Sequence, residues 1–151
     1  MATSVVPALF DALIAAAITA LPATAVSDGI GNTEYPGDYL MVGISDDGPN
    51  PSTAVRSKQE WVNANGTARD EEGDITCLAV SWNGSADPKA ARDGVYAMKA
   101  AVENLLRTNP SLGVSGVLWT SAGTDENLEQ DQDTNGAVAY LVFTIAYRAR
   151  I

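Results

Sequence analysis

The chain has no histidine, one cysteine (Cys77), few aromatic residues (7%) and only 9 Lys and Arg against 19 Asp and Glu. Without imidazole, the usual general base, the triads built on it and nearly every zinc site are excluded. A lone cysteine forms no intramolecular disulfide. In a mid-strand apolar setting with no base beside it, Cys77 reads as a small buried hydrophobe rather than a nucleophile. A net charge of −10 excludes a protein that grips nucleic acid or anionic membrane, because both need a positive stripe. The same charge suits a wall along which DNA passes without sticking. With so few aromatics, the core has to rest on Val, Leu, Ile and Ala.

What is present fits one domain over residues 1–151, an α+β fold with two helices packed on a mainly antiparallel sheet. The apolar run Val5 to Leu21 is followed by Ala23-Thr24-Ala25, the pattern of a signal-peptide cleavage site. No Lys or Arg precedes the run and Asp11 interrupts it, so it reads instead as an amphipathic helix. Ser4 is its expected cap, Pro7 falls in its first turn, Leu9, Phe10, Leu13, Ile14, Ala17 and Leu21 form its apolar face, and Pro22 stops it. A loop through Ser27 to Gly31 leads to a buried strand at Asp38 to Ile44, and Asp46 to Pro51 reads as an acidic surface loop.

Ala54 to Val62 reads as a strand with Arg56, Lys58 and Glu60 on one face and Val55, Ser57, Gln59 and Trp61 on the other. A polar turn containing Asn65-Gly66 and Asp70-Glu71-Glu72-Gly73 returns the chain into a central strand, Ile75 to Trp82, apolar on both faces. The second helix is marked by Asp87 as cap and Pro88 at the first position. Val95, Met98, Val102, Leu105 and Leu106 form its apolar face, and Asn109-Pro110 ends it. Val117 to Gln132 and Ala137 to Arg150 form a long antiparallel hairpin. Placing residue 132 opposite 137 sets Leu128 opposite Leu141 and Trp119 opposite Arg150.

Asp131-x-Asp133-x-Asn135-Gly136 matches the first half of a calcium loop, but Val142 stands where the bidentate Glu belongs and no helix precedes it, so a hairpin turn is expected. Asn65-Gly66-Thr67 and Asn83-Gly84-Ser85 match glycosylation sequons and read as turns. The carboxylates Asp125, Glu126, Glu129, Asp131 and Asp133 crowd the outer part of the hairpin without an interleaved cation. Paired carboxylates could do acid and base work, yet that needs a cleft and one raised pKa. A solvated hairpin tip is the expectation, and these five residues are the assembly or channel-lining candidates. No catalytic, cofactor-binding or metal-binding residue is expected.

Longer stretches carry a resemblance. Val6-Pro7-Ala8-Leu9-Phe10-Asp11-Ala12-Leu13, Pro36-Gly37-Asp38-Tyr39-Leu40-Met41-Val42-Gly43, Arg69 to Cys77, Ser81-Trp82-Asn83-Gly84, Ala90-Ala91-Arg92-Asp93 and Phe143 to Ile151 span most of the sequence. Together they resemble tail terminator proteins of long-tailed siphophages infecting actinobacteria. The resemblance implies a non-enzymatic virion protein of the tail and neck, made in the host cytoplasm. It implies a small α+β subunit that forms a ring, a hexamer in that family, on the end of the tail tube and meets the head connector. The implied partners are further copies of itself, the tail tube protein, head-tail connector proteins and packaged DNA passing through the lumen, with no cofactor and no membrane. Another neck component, such as a head closure protein or connector adaptor, or a tail tube protein would show similar elements. A small acidic enzyme is the remaining alternative, disfavoured by the missing histidine.

Overall fold

A computed structural model describes residues 2–31, 37–44 and 52–151. It has two helices, α1 (Val6–Ala20) and α2 (Pro88–Thr108), and six strands. The strands are β1 (Ala25–Asp28), β2 (Tyr39–Val42), β3 (Val55–Trp61), β4 (Arg69–Asn83), β5 (Val117–Asp133) and β6 (Gly136–Arg150). They form one sheet in the order β1-β2-β4-β6-β5, with β3 also paired to β4. Every pairing is antiparallel except β1 with β2. The α+β expectation is met.

β4 organises the sheet. One edge pairs along its length with β6, from Asp70↔Arg150 to Asn83↔Ala137. The other edge is shared: Cys77 to Val80 pair with β2, and Arg69 to Ile75 pair with β3. β1 adds outside β2, so on that side the sheet is one strand wider beside β2 than beside β3.

Both helices cover one face. Leu9, Leu13 and Ala17 of α1 and Ala91, Val95, Met98, Val102 and Leu106 of α2 are buried. They meet alternate residues of the central strands: Ile75, Cys77 and Ala79 of β4 and Leu141, Phe143, Ile145 and Tyr147 of β6. Asp87 caps α2, its side chain accepting from the Lys89 and Ala90 amides, and Pro88 stands at the first turn. The opposite, outer face has its own smaller cluster of Tyr39, Met41, Ile44, Leu78 and Val80. β4 is therefore apolar on both faces at its C-terminal half, as a central strand must be.

Four expectations need correction. Ser27 and Asp28, placed in a loop before the first strand, belong to β1, which is too short, with only Ala25 and Val26 apolar, to show an alternation. Asp70-Glu71-Glu72-Gly73 lies in β4, not in a turn, because β3 and β6 pair with it from both sides. Ser4 does not occupy the cap position of α1, which is Val5; its hydroxyl accepts from the Val6 amide at 3.1 Å while donating to Glu71. Trp119 faces Arg148 rather than Arg150. The Leu128↔Leu141 and Gln132↔Ala137 pairs are as expected, but register shifts between Ala122 and Glu126 and between Val117 and Trp119 displace the inner part. Gly123 sits in the first of these, where a Cβ would overlap the Thr144 hydroxyl. The Asp46 to Pro51 loop lies outside the described residues. Among the described residues no helix is long and apolar enough to cross a membrane.

Candidate functional site

Alternation along β5 separates the five carboxylates singled out from the sequence. Glu126 pairs with Phe143, and Leu128 with Leu141, so these positions share the helix face. Glu126 is held there by Lys99 at 2.7 Å, with the Tyr96 hydroxyl donating to it at 3.3 Å. Lys99 and, more weakly, burial push the Glu126 carboxyl in opposite directions, and the hydrogen bond from Lys99 wins, lowering its pKa. The expectation of a run without a neighbouring cation therefore fails at Glu126. Gln130 and Gln132 extend the same seam, donating to the Pro88 and Ala86 carbonyls. Glu129 and Asp131, opposite Tyr140 and Val138, lie on the outer face, and Asp125 lies within the irregular stretch between Ala122 and Glu126. Among the described residues, none of these three has a cation within salt-bridge distance. Asp133 accepts from the Asn135 and Gly136 amides at 2.7 and 3.1 Å, so the calcium-loop match is a hairpin turn closed by its own side chain. Among the described residues, no three His, Cys, Asp or Glu side chains gather to hold a metal ion.

Both sequons are turns as well. The Asn83 side chain accepts from the Ser85 amide at 2.9 Å, and Gly66 takes a positive φ of 62° between Asn63 and Thr67. Cys77 is buried, and desolvation pushes its thiol up to about 12, which leaves it inert as a nucleophile.

A carboxylate that sequence reasoning missed is Glu71, with no exposed surface. It accepts from Ser4 Oγ at 2.8 Å, Gln59 Nε2 at 2.6 Å and Tyr147 Oη at 3.0 Å. Gln59 also donates to the Thr3 carbonyl and accepts from Arg69 at 2.8 Å. Burial and the Glu71 carboxylate together hold the Tyr147 hydroxyl firmly protonated. This network joins the start of α1, β3, β4 and β6, and its fully satisfied acceptor marks it as structural rather than catalytic. The signal that could have found it is its place in an alternating set, Glu71, Gly73, Ile75, Cys77.

The charged residues of β3 and the first half of β4 form the other polar surface. Arg56, Lys58 and Glu60 stand on the outer face beside Asp74, Glu72 and Asp70. Asp70 accepts from Arg150 at 2.7 and 3.1 Å and from Arg148 at 3.3 Å, and the Arg150 hydrogen bond holds its carboxyl below the usual range. Lys58 pairs with Glu60, while Arg56 has no ion pair among the described residues. Every residue from Arg56 to Trp61 is exposed, and the hairpin beyond carries Trp61 and Val62 at 58% and 44% exposure. Trp61 stacks over the Arg69 guanidinium at 5.1 Å. Exposed strands at the two sides of the sheet are the functional candidates here.

No family profile and no curated protein sequence matches the chain. The fold does match. It aligns over 99% of this chain and all of a chain from the virion of a native gene transfer agent particle, with a TM-score of 0.64 and 13% sequence identity. At that identity the likeness is one of fold, and it runs from end to end of both chains.

Proposed function

We propose that this chain is a structural virion protein of a phage-like particle: a tail terminator that closes the tail tube as a ring and meets the head connector. The observation that supports this most is the whole-length likeness to a chain of a gene transfer agent virion. The surface agrees with that reading. A carboxylate-rich strand and a two-sided exposed hairpin give area for assembly.

In this reading −10 per subunit becomes about −60 in a ring of six, a field that repels phosphate wherever it faces the lumen. The unpaired carboxylates Asp125, Glu129, Asp131 and Asp133 either meet the next copy or line that channel. The Glu126 side chain is committed to Lys99 on the helix face and does not line the channel.

The test is the position of the chain in an intact particle, read from cryo-electron density or from gold-labelled antibody. A ring at the head-proximal end of the tube is expected. Density repeated along the tube would make it a tube subunit, and density beside the portal would make it a connector component. Light scattering on the purified chain gives an independent reading: a six-fold species is expected, whereas a twelve-fold one favours the connector.

A further inference from the structure

Resting on the ring reading above, we infer that neighbouring copies join through their two unlike sheet edges, Glu126–Gln132 of β5 in one copy lying antiparallel to β3 of the next. Three observations converge on this contact.

The first is strand direction. Across β3-β4-β6-β5 each pairing is antiparallel, so β5 runs opposite to β3. A second copy in the same orientation, as cyclic symmetry requires, therefore presents its β3 antiparallel to β5, with both pairs of helices on the same side.

The second is shape. β1 stands one strand further out than β3 on the receiving edge, so a notch lies beside β3 that ends at β1 and β2. Without displacement along the strands, β1 of one copy would collide with the hairpin tip of the other. Sliding the incoming tip into the notch removes the collision and supplies the stagger that a closed sheet needs. The lengths are close: β3 has seven residues, Val55–Trp61, and the stretch of β5 that follows the register irregularity has eight, Glu126–Asp133.

The third is charge. β5 contains no Lys or Arg, whereas β3 carries Arg56, without an ion pair among the described residues, and Lys58, whose one partner Glu60 falls opposite the neutral Asn127 in the register below. Both cations lie on the outer face, as do Glu129 and Asp131. When Val55 is set opposite Gln132, Arg56 meets Asp131 and Lys58 meets Glu129 directly, the arrangement in which cross-strand ion pairs form.

Charge reversal tests the contact. The variant with Arg56→Glu and Lys58→Glu has two acidic edges, and the variant with Glu129→Lys and Asp131→Lys has two basic ones. Each alone is expected to self-associate at least about tenfold more weakly than the parent by sedimentation, with unchanged circular dichroism. Mixing the two should restore assemblies in which they alternate, and the chain with all four changes should assemble alone. An oligomeric parent whose reversal variants assemble equally well overturns the edge contact and leaves the ring reading standing. A parent that stays monomeric at all concentrations and shows no ring in particles overturns both.

Discussion

The two halves of β4 have opposite characters. From Ile75 to Val80 the strand is enclosed on both faces, by helices on one side and by the Tyr39, Met41 and Leu78 cluster on the other. From Arg69 to Asp74 it carries four acidic side chains and a glycine, and its neighbour β3 is exposed along nearly its whole length. The enclosed half holds the chain together through apolar burial. The charged half is anchored by one buried carboxylate, Glu71, and its outer-face residues Glu72 and Asp74 are exposed.

That contrast can be broken most severely at α2. Val102, 2% exposed, packs on the enclosed half, and Val102→Asp would bury an unpaired charge. Loss of about 4 kcal/mol or more is expected, seen as a missing cooperative melt by circular dichroism. Next comes Glu71→Leu, which leaves the Ser4, Gln59 and Tyr147 donors without their acceptor and should cost about 3 kcal/mol in urea denaturation. If it costs nothing, the polar half is not anchored there. Ser4→Ala removes one of the three donors and should cost about 1 kcal/mol.

Asp70→Asn probes the exposed ion pairs and should lower the melting temperature only slightly. The pKa of Asp70 is lowered in the fold, so its contribution is present above its ordinary value of 3.8 and fades as pH falls through the folded value. A melting-temperature difference between parent and variant that grows below pH 3 would contradict this assignment. The smallest effect on stability is expected from neutralising Asp125, Glu129, Asp131 and Asp133 together. Melting should be unchanged while assembly weakens, and a large fall in stability would place these residues with the enclosed half.

Legibility in the sequence follows the same division. α2 was readable because cap, proline and apolar period agree, and the central apolar strand because its residues exclude water on both faces. Glu71 was not, since its burial depends on Ser4, Gln59 and Tyr147, which lie 67, 12 and 76 positions away. Arg69 to Asp74 looks like a turn by its polar composition, and pairing on both edges makes it a strand. The hairpin register was correct as far as Glu126 and then slipped at Gly123, a departure that needs the third dimension. The carboxylate cluster was visible as composition, but its division between helix face and outer face became plain only with the strand register, as did the complementary cations of β3.

The central place of β6 also has a kinetic meaning. β6 follows every other element in chain order, yet it sits between β4 and β5 and pairs with β4 across separations of up to 80 residues. Contacts that distant close slowly, because the loop entropy must be overcome before the pairing is gained. Until β6 docks, β5 has no partner and the seat for Glu71 lacks Tyr147. Chains interrupted before this strand should therefore stay unfolded and be cleared by proteases, so that only chains whose sheet edges are fully built persist.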